Sequence, residues 1–279
     1  NILVLQGCWA LFAYQAGAYE ALAEARFLPE CVKGRSIGAI NVAIIAGNKP
    51  EERVAKLRQF WEKVSSGLQG SIPAFDEFWR PFLNETSANI AASFRVPGFF
   101  TPRFPSAHFH PKGTLEAISL YDTGPLADTL HDLVDFTYLN KDGPRLSVGA
   151  VDIALGNFKY FDKAHEPLDA RHIMASGALP PAFAPVEIDN HFYWDGGIVS
   201  NTPIDYVMEY DGARQDMCIF QVDVFRARGS VPKTLSEVTE REKDIRFSSR
   251  TRFNSDHVKK MHEMSNAAMR LYAKLPAAL

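Results

Sequence analysis

The chain has 279 residues, a formal net charge of −3 at pH 7 and a pI of about 6.3. Its length fits one large domain, with or without an insertion, and the near-neutral charge gives no general electrostatic case for binding nucleic acid. The three cysteines, Cys8, Cys31 and Cys218, are too scattered for a disulfide framework or a zinc site, and they favour a reducing compartment.

The first part of the chain alternates short apolar runs with helical patterns. Ile2–Leu5 is a continuous apolar run that suits a strand buried on both faces of a parallel sheet, and Gly7 ends it before a helix. A second short run leads into Ser36 and is followed by a helix, Ile37–Ala46, that stops at Gly47. This succession predicts right-handed crossovers and a parallel sheet with helices on both sides.

A third helix is predicted to begin near Pro50, and the regular pattern then breaks over residues 66–112, which are rich in Phe, Trp and Pro. Two compatible interpretations of this excursion stay open. Its aromatic side chains pack onto the core, or they form an apolar lid beside a site and meet lipid chains.

Regular elements are expected again after residue 120. The spacing of Leu126, Leu130 and Leu133 predicts a helix capped near Asp122 or Thr123. The remaining expected elements are a strand at 145–153, its hairpin partner at 158–161, a short helix at 168–176 and a strand at 217–225.

The tail between residues 241 and 274 carries nine Lys or Arg against four Asp or Glu. This basic excess indicates either a solvated helical face or a surface that lies against anionic lipid head groups. No apolar run is long enough to span a bilayer and no signal peptide is visible, although an upstream segment can have been trimmed. We expect a cytoplasmic protein of a bacterium, with a membrane-peripheral location as the alternative.

The stretch Gly34-Arg35-Ser36-Ile37-Gly38 has the form Gly-x-Ser-x-Gly between a strand and a helix. Glycines on either side of such a serine let the strand and the helix approach each other, and the sharp turn pushes the hydroxyl outward. The hydroxyl then lies at a helix N-terminus, where N–H groups and the helix dipole can stabilise an oxyanion.

A serine nucleophile needs a base to take its proton, and a second stretch that stands out, at residues 193–203, contains Asp195. It stands at the end of an apolar strand and is followed by Gly196 and Gly197. On its own, an Asp-Gly pair usually marks nothing more than a turn.

Taken together, these stretches resemble the patatin-like lipid acyl hydrolases, in particular a bacterial branch of that family. The resemblance rests on Leu3-Val4-Leu5-Gln6-Gly7, on Ala16-Gly17 with Tyr19-Glu20-Ala21-Leu22, on Gly34-x-Ser36-x-Gly38-Ala39-Ile40-Asn41, on Ala175-Ser176-x-Ala178-Leu179-Pro180, and on Asp195-Gly196-Gly197 before Asn201-Thr202-Pro203. Several motifs in the family's order are more specific than any one of them.

The resemblance implies a three-layer α/β/α sandwich with a mostly parallel central sheet and helices on both faces. It implies a catalytic domain over 1–210 that carries the insertion 66–112, while 211–279 add a strand and a basic helical tail packed on the same domain. It also implies a Ser–Asp dyad, with Ser36 as nucleophile, Asp195 as base and an acyl-enzyme that water hydrolyses. Neither a cofactor nor a metal is expected, and the expected substrate is a lipid or another acyl ester.

Two departures from the family pattern stand out. The family has a glycine-rich turn after the first strand, whose N–H groups form the oxyanion hole, whereas here the run is Gly7-Cys8-Trp9-Ala10-Leu11-Phe12. Gly7, Cys8 and Trp9 are the expected donors, but Cys and Trp cannot adopt a positive φ cheaply, so a displaced loop would leave a weak or silent enzyme. Arg35 replaces a small residue, and it either binds an anionic head group or pairs with a carboxylate and blocks the site.

Two function classes therefore remain. The first is a serine acyl hydrolase of the esterase or phospholipase A type, supported around its dyad by Gly34, Arg35, Gly38, Gly196 and Gly197. The second is a catalytically impaired patatin-like protein that binds lipid or a protein partner. Transient contact with a membrane surface and a homo-oligomer are compatible with both classes.

Other chemistries fit the sequence less well. A Ser-His-Asp hydrolase would have to use His257 or His262 in the basic tail. His108 and His110 lie in the proline-rich excursion, where loop histidines are commoner than metal ligands. A nucleotide site is disfavoured, because the first turn lacks the glycine pattern and no Walker sequence is present.

Overall fold

The structure is a computed structural model that describes residues 1–7, 13–65, 96–199, 204, 206, 207 and 217–272. Cys8, Trp9 and the first thirty residues of the predicted aromatic excursion, 66–95, lie outside the described residues.

The described elements follow one another in this order: strand β1 (Ile2–Leu5), helix α1 (Ala13–Glu24), strand β2 (Cys31–Arg35), helix α2 (Ile37–Ala46), helix α3 (Arg53–Ser65), strand β3 (Thr101–Pro102), strand β4 (Tyr121–Asp122), helix α4 (Gly124–Leu133), helix α5 (Phe136–Lys141), strand β5 (Arg145–Asp152), strand β6 (Phe158–Asp162), helix α6 (Ala170–Ser176), strand β7 (Val186–Ile188), strand β8 (His191–Asp195), strand β9 (Ile219–Val222) and helix α7 (Leu235–Tyr272). Short 3-10 turns occur at Ala107–Phe109, Leu115–Ile118 and Gly196–Ile198.

Within the described part of the chain, seven strands form one sheet in the order β7-β8-β5-β2-β1-β9, with β6 paired to β5. The ladders β9–β1, β1–β2 and β2–β5 are parallel, whereas β6, β8 and β7 add antiparallel pairs on the β5 side. The predicted α/β fold with a mostly parallel central sheet and helices is therefore confirmed.

Strand β1 shows why both faces of the sheet must be covered. Leu3 and Leu5 are fully buried in the main core, together with residues of α2, α3, α4 and α6. Ile2 and Val4 point to the other face, where they pack with Val207 in a second cluster. The continuous apolar run is thus split by the two-residue period of a strand into two buried rows.

The predicted elements agree with the structure in most places. Helix α2 has its expected bounds, and the hairpin of β5 with β6 forms as predicted. Helix α3 begins at Arg53, three residues after Pro50, because a turn at residues 49–52 comes first, closed by a hydrogen bond from the Glu52 N–H to the Lys49 carbonyl. The strand expected at 217–225 is shorter, Ile219–Val222, and lies at the sheet edge.

Helix α5 was not expected from the sequence, since its run is short and carries little periodicity. Asp135 caps it, because the Asp135 carboxylate accepts hydrogen bonds from the N–H groups of Thr137 and Tyr138 at 2.8 and 2.9 Å.

The described end of the aromatic excursion packs onto the core in part, as the first interpretation predicts, and its role as a lid stays a prediction. Phe99 and Phe100 are buried and lie against Phe183 of the core, with ring centroids 5.9 and 5.5 Å away. Phe104 and Phe109 are instead 97% and 79% exposed. Part of this segment therefore closes the core, and part of it presents aromatic rings to solvent.

Helix α7 is 38 residues long and touches the rest of the domain near its middle. Phe247 stacks on Phe225 with ring centroids 4.6 Å apart, and Ser248 and Thr251 are buried. Beyond Thr251 most described side chains are exposed. Among the described helices, none is both long enough and apolar enough to cross a bilayer.

Candidate active site

Ser36 stands at the sharp turn between β2 and α2, and its backbone has φ 52° and ψ −130°, which non-glycine residues seldom adopt. The neighbouring glycines make this turn possible. A Cβ on Gly34 would lie 2.5 Å from the Gly38 carbonyl oxygen and 2.6 Å from Cγ2 of Val42. A Cβ on Gly38 would lie 2.7 Å from the Leu5 carbonyl oxygen. The glycines at both ends of the motif are thus needed for the close packing of strand and helix.

Strand β5 brings Ser36 and Asp195 together. Arg35, the last residue of β2, pairs with Gly149 of β5, while Asp195, the last residue of β8, pairs with the next residue, Ala150. The Ser36 hydroxyl donates a hydrogen bond of 2.6 Å to Oδ2 of Asp195. Both residues are buried, with 6% and 1% of their surface exposed.

The Asp195 carboxylate lies in a dry and tightly packed setting. Its Oδ1 accepts the Gly197 N–H at 2.6 Å, and a Cβ on Gly196 would lie only 2.4 Å from the Gly149 carbonyl oxygen. Burial raises the pKa of Asp195 from 3.8 to about 6, while the Ser36 hydroxyl, the Gly197 N–H and the charge of Arg35 act in the opposite direction. The carboxylate is therefore ionised above about pH 6, where it can accept a proton.

Ser176 is a residue whose role the sequence did not reveal. Its Oγ accepts the backbone N–H of Ser36 at 3.1 Å and donates to the Gly149 carbonyl at 2.7 Å. Ser176 is completely buried at the end of α6. In the sequence it is part of a family landmark, and its one local signal is a hydroxyl that follows the apolar run Ile173-Met174-Ala175 and precedes Gly177.

Arg35 is buried beneath aromatic rings, with 2% of its surface exposed. Its guanidinium lies 4.3 Å from the ring centroid of Phe158 and donates a hydrogen bond to the hydroxyl of Tyr160. Its positive charge also reaches Asp195, whose pKa it lowers. The buried Arg35 charge therefore favours the ionised form of Asp195. Its role toward a head group stays a prediction.

The expected oxyanion donors are described only in part. Gly7 is buried, and it follows the carbonyls of Leu5 and Gln6, which lie against Gly38 in the first turn of α2. The end of β1 therefore lies beside the nucleophile turn, as an oxyanion loop requires. Cys8 and Trp9 lie outside the described residues, so their role as donors stays a prediction.

Of the histidines considered from the sequence, those whose side chains the structure describes make no hydrogen bond with Ser36 or Asp195. His108 is in the short turn Ala107–Phe109, and His110 contacts the carbonyl of Pro105 through Nε2. His257 is exposed on α7, and the side chain of His262 is outside the described set. Among the described residues, no group of three or more His, Cys, Asp or Glu side chains could hold a metal ion.

Comparison with known proteins identifies the family. A sequence model described as patatin-like phospholipase matches residues 3–208, which is most of the chain. The chain belongs to the patatin-like phospholipase family. This patatin-like family is in general one of lipid acyl hydrolases.

The chain is only distantly similar to a solved structure of another protein. The crystal structure of VipD from Legionella pneumophila resembles the chain with a TM-score of 0.40 and 17% identity, over 72% of this chain and 46% of the VipD chain. The chain thus spans less than half the length of VipD. No curated protein matches the chain.

The raised pKa of Asp195 predicts that this patatin-like site destabilises its own fold at neutral pH. The unfolded carboxyl ionises near 3.8 and the folded one near 6, so the free energy of unfolding falls as the pH rises through this window. A pKa that is higher by one corresponds to about 1.4 kcal/mol, and Asp195→Asn cannot ionise. The free energy of unfolding of Asp195→Asn minus that of the native chain should therefore be roughly 3 kcal/mol larger at about pH 8 than at about pH 3. Urea unfolding at both pH values measures the difference.

The control for this experiment is Asp128→Asn, which changes an exposed carboxylate on α4. We expect the difference in free energy of unfolding between that variant and the native chain to be the same at both pH values. An Asp195→Asn effect of the same size at both pH values would contradict the predicted ionisation behaviour.

A second prediction concerns Ser176. Removal of its hydroxyl in Ser176→Ala leaves the buried N–H of Ser36 without its acceptor, which should lower the free energy of unfolding by about 1–3 kcal/mol. The control is Ser249→Ala, which removes an exposed hydroxyl that donates a hydrogen bond within α7 to the Arg246 carbonyl. It should change the free energy of unfolding by less than about 0.5 kcal/mol. Chemical denaturation measures both variants, and equal losses would mean that the contact with Ser36 contributes nothing special.

Proposed function

We propose that the chain is a serine acyl hydrolase, of the esterase or phospholipase A type, that cleaves acyl esters of lipids. The observation that supports it most directly is the 2.6 Å hydrogen bond from the Ser36 hydroxyl to Asp195 at the strained turn before α2. A strained serine aimed at a buried base has the arrangement that nucleophilic acyl transfer needs.

In the proposed mechanism Asp195 takes the Ser36 hydroxyl proton while Oγ attacks the ester carbonyl. The tetrahedral intermediate then collapses, the bond to the leaving alkoxide breaks, and Asp195 returns the proton to that alkoxide. This leaves an acyl group on Ser36. Asp195 then takes a proton from water, whose oxygen attacks the acyl carbonyl. As the second tetrahedral intermediate collapses, the bond between the acyl carbon and Oγ of Ser36 breaks, Asp195 returns the proton to Oγ, and the fatty acid is released.

The pKa of Asp195 supports this role. A carboxylate with an ordinary pKa near 4 is a weak base, whereas one titrating at about 6 is closer to a working pH near neutrality. Negative charge on the carbonyl oxygen would be stabilised by the N-terminus of α2 and by N–H groups of the turn that begins at Gly7.

The experiment that tests the proposal is hydrolysis of a medium-chain p-nitrophenyl ester. Ser36→Ala and Asp195→Asn should each lower kcat/KM by at least about a thousandfold, since each removes a partner of the same proton transfer. Ser249→Ala serves as the control and should retain native activity.

A native chain as inactive as Ser36→Ala would count against the hydrolase and favour the alternative, an impaired patatin-like protein that binds lipid or a partner. The variant Cys8→Gly, Trp9→Gly, Phe12→Gly would then distinguish the two explanations of the missing activity, a displaced oxyanion loop or a protein that only binds. Recovered hydrolysis would locate the defect in the oxyanion loop, and continued silence would favour a binding protein.

The pH dependence of kcat/KM provides a separate prediction. Activity should fall below about pH 6, because protonated Asp195 cannot accept the serine proton. Arg35→Met removes a positive charge that lowers the pKa of Asp195, so the acidic limb of the profile should move to higher pH. Arg252→Met, an exposed change on α7, should leave the limb in place; an unmoved limb in Arg35→Met would contradict the assigned interaction.

The exposed half of α7 supports a proposed contact with the surface of an anionic membrane. At 100° per residue, its exposed apolar side chains at Phe253, Met261, Met264 and Leu271 fall on one face. Arg252, Lys259, Lys260 and Arg270 lie on the adjoining face, where they outnumber the acidic Asp256 and Glu263. An apolar face bordered by basic residues is typical of helices that lie in the membrane interface, which would make the protein membrane-peripheral.

Liposome flotation tests this contact. The native chain should float with vesicles that contain phosphatidylserine and much less with neutral vesicles, because the basic side chains add an electrostatic contribution. Met264→Glu should abolish flotation, since it places a charge on the apolar face. Ser265→Glu adds the same charge at an exposed position that lies outside both the apolar and the basic face, and it should weaken flotation only slightly. Flotation of Met264→Glu at the native level would refute the assigned face.

A further inference from the structure

Gln6 occupies the position between the end of β1 and Gly7, and its side chain is completely buried. Its Oε1 accepts the backbone N–H of Val224 at 3.0 Å, and its Nε2 donates to Oγ1 of Thr251 at 2.8 Å. A buried amide costs free energy unless both of its ends are satisfied, and here two segments more than 200 residues away satisfy them. Packing alone would be served better by an apolar side chain.

The main chain of Gln6 is held as firmly as its side chain. Its carbonyl oxygen accepts Nε2 of Gln15 at 2.7 Å, and Oε1 of Gln15 accepts Nδ2 of Asn41 at 3.0 Å. Oδ1 of Asn41 in turn accepts the indole N–H of Trp61 at 3.1 Å. This chain of hydrogen bonds ties the last peptide before Gly7 to α1, to α2 and to α3.

The geometry of a peptide group gives this arrangement a chemical meaning. The peptide bond is planar and trans, so the carbonyl of Gln6 and the N–H of Gly7 point in opposite directions. Fixing the carbonyl against Gln15 therefore fixes the plane of the peptide that joins Gln6 to Gly7, and the expected oxyanion turn of Gly7, Cys8 and Trp9 starts from this peptide. Gln6 also lies against the nucleophile helix, since a Cβ on Gly38 would be 2.9 Å from its carbonyl oxygen.

We propose that Gln6 is a positioning residue for the oxyanion-binding end of β1, and that Thr251 of α7 holds it in place. Helix α7 thereby contributes to catalysis through the contact of Thr251 with Gln6. This inference rests on the proposed hydrolase function. It differs from a purely structural role of the same contact, which would only attach α7 to the domain.

The kinetic test compares two substitutions of Thr251. Thr251→Val keeps the shape and removes the hydroxyl that accepts from Gln6, so kcat for the p-nitrophenyl ester should fall about tenfold at an unchanged KM, the size expected for one hydrogen bond. Thr251→Ser retains the hydroxyl and should restore native kcat. Thr239→Val, an exposed change on the same helix, should have no effect. Native kcat in folded Thr251→Val would overturn the proposal.

Hydrogen exchange provides a readout that does not depend on turnover. In Thr251→Val the amides of residues 2–7 should exchange at least about tenfold faster than in the native chain, whereas Thr251→Ser and Thr239→Val should match it. Unchanged exchange in Thr251→Val overturns the positioning role, even if the native chain hydrolyses no ester. A native chain without activity but with faster exchange in Thr251→Val would refute the hydrolase function and leave the tie between α7 and β1 standing.

Discussion

The register of strand β5 is the constraint on which the site depends. One edge of β5 pairs first with β2, which is parallel to it, and then with β8, which is antiparallel, so β2 and β8 run toward each other. Their ends meet at the consecutive residues Gly149 and Ala150. Two strand ends that meet head to head leave little room: a Cβ on Gly196, directly after β8, would lie 2.4 Å from the Gly149 carbonyl oxygen. The contact between Ser36 and Asp195 follows from this pairing, since each stands at one of the two ends.

The same crowding explains the electrostatics of the site. Closely packed strand ends exclude water, and the loss of water raises the pKa of Asp195. Three groups that favour its charged form (the Ser36 hydroxyl, the Gly197 N–H and the Arg35 charge) limit that rise. Burial makes Asp195 a stronger base than an exposed aspartate, and these three groups favour its ionised form. The buried arginine beside the nucleophile therefore has a physical function even without a head group to bind.

The sequence predicted what is local and missed what depends on distant pairing. The strand before Ser36, the glycines of its turn and the bounds of α2 follow from spacing and steric size within a few residues. Asp195 looks like a turn residue on its own and was assigned a role only through the family resemblance, because its partner is 159 residues away. Ser176, 140 residues from the N–H it accepts, carried no local signal that could have assigned its role.

Helix α7 takes part in both the proposed positioning of Gln6 and the proposed membrane contact. Thr251, near its middle, accepts a hydrogen bond from Gln6, and its C-terminal half carries the apolar and basic faces. A continuous helix of 38 residues is a stiff element of about 57 Å, so a surface that holds the far half also acts on the turn at Thr251. Lipid can change the position of β1 only if it binds α7 more tightly in one arrangement of that turn than in another. Equal affinity for both arrangements would anchor the protein to a membrane and leave its turnover unchanged, however tight the binding. Anchoring and activation would thus be separate consequences of the same helix, and the bond between Thr251 and Gln6 is the contact through which we propose that they are connected.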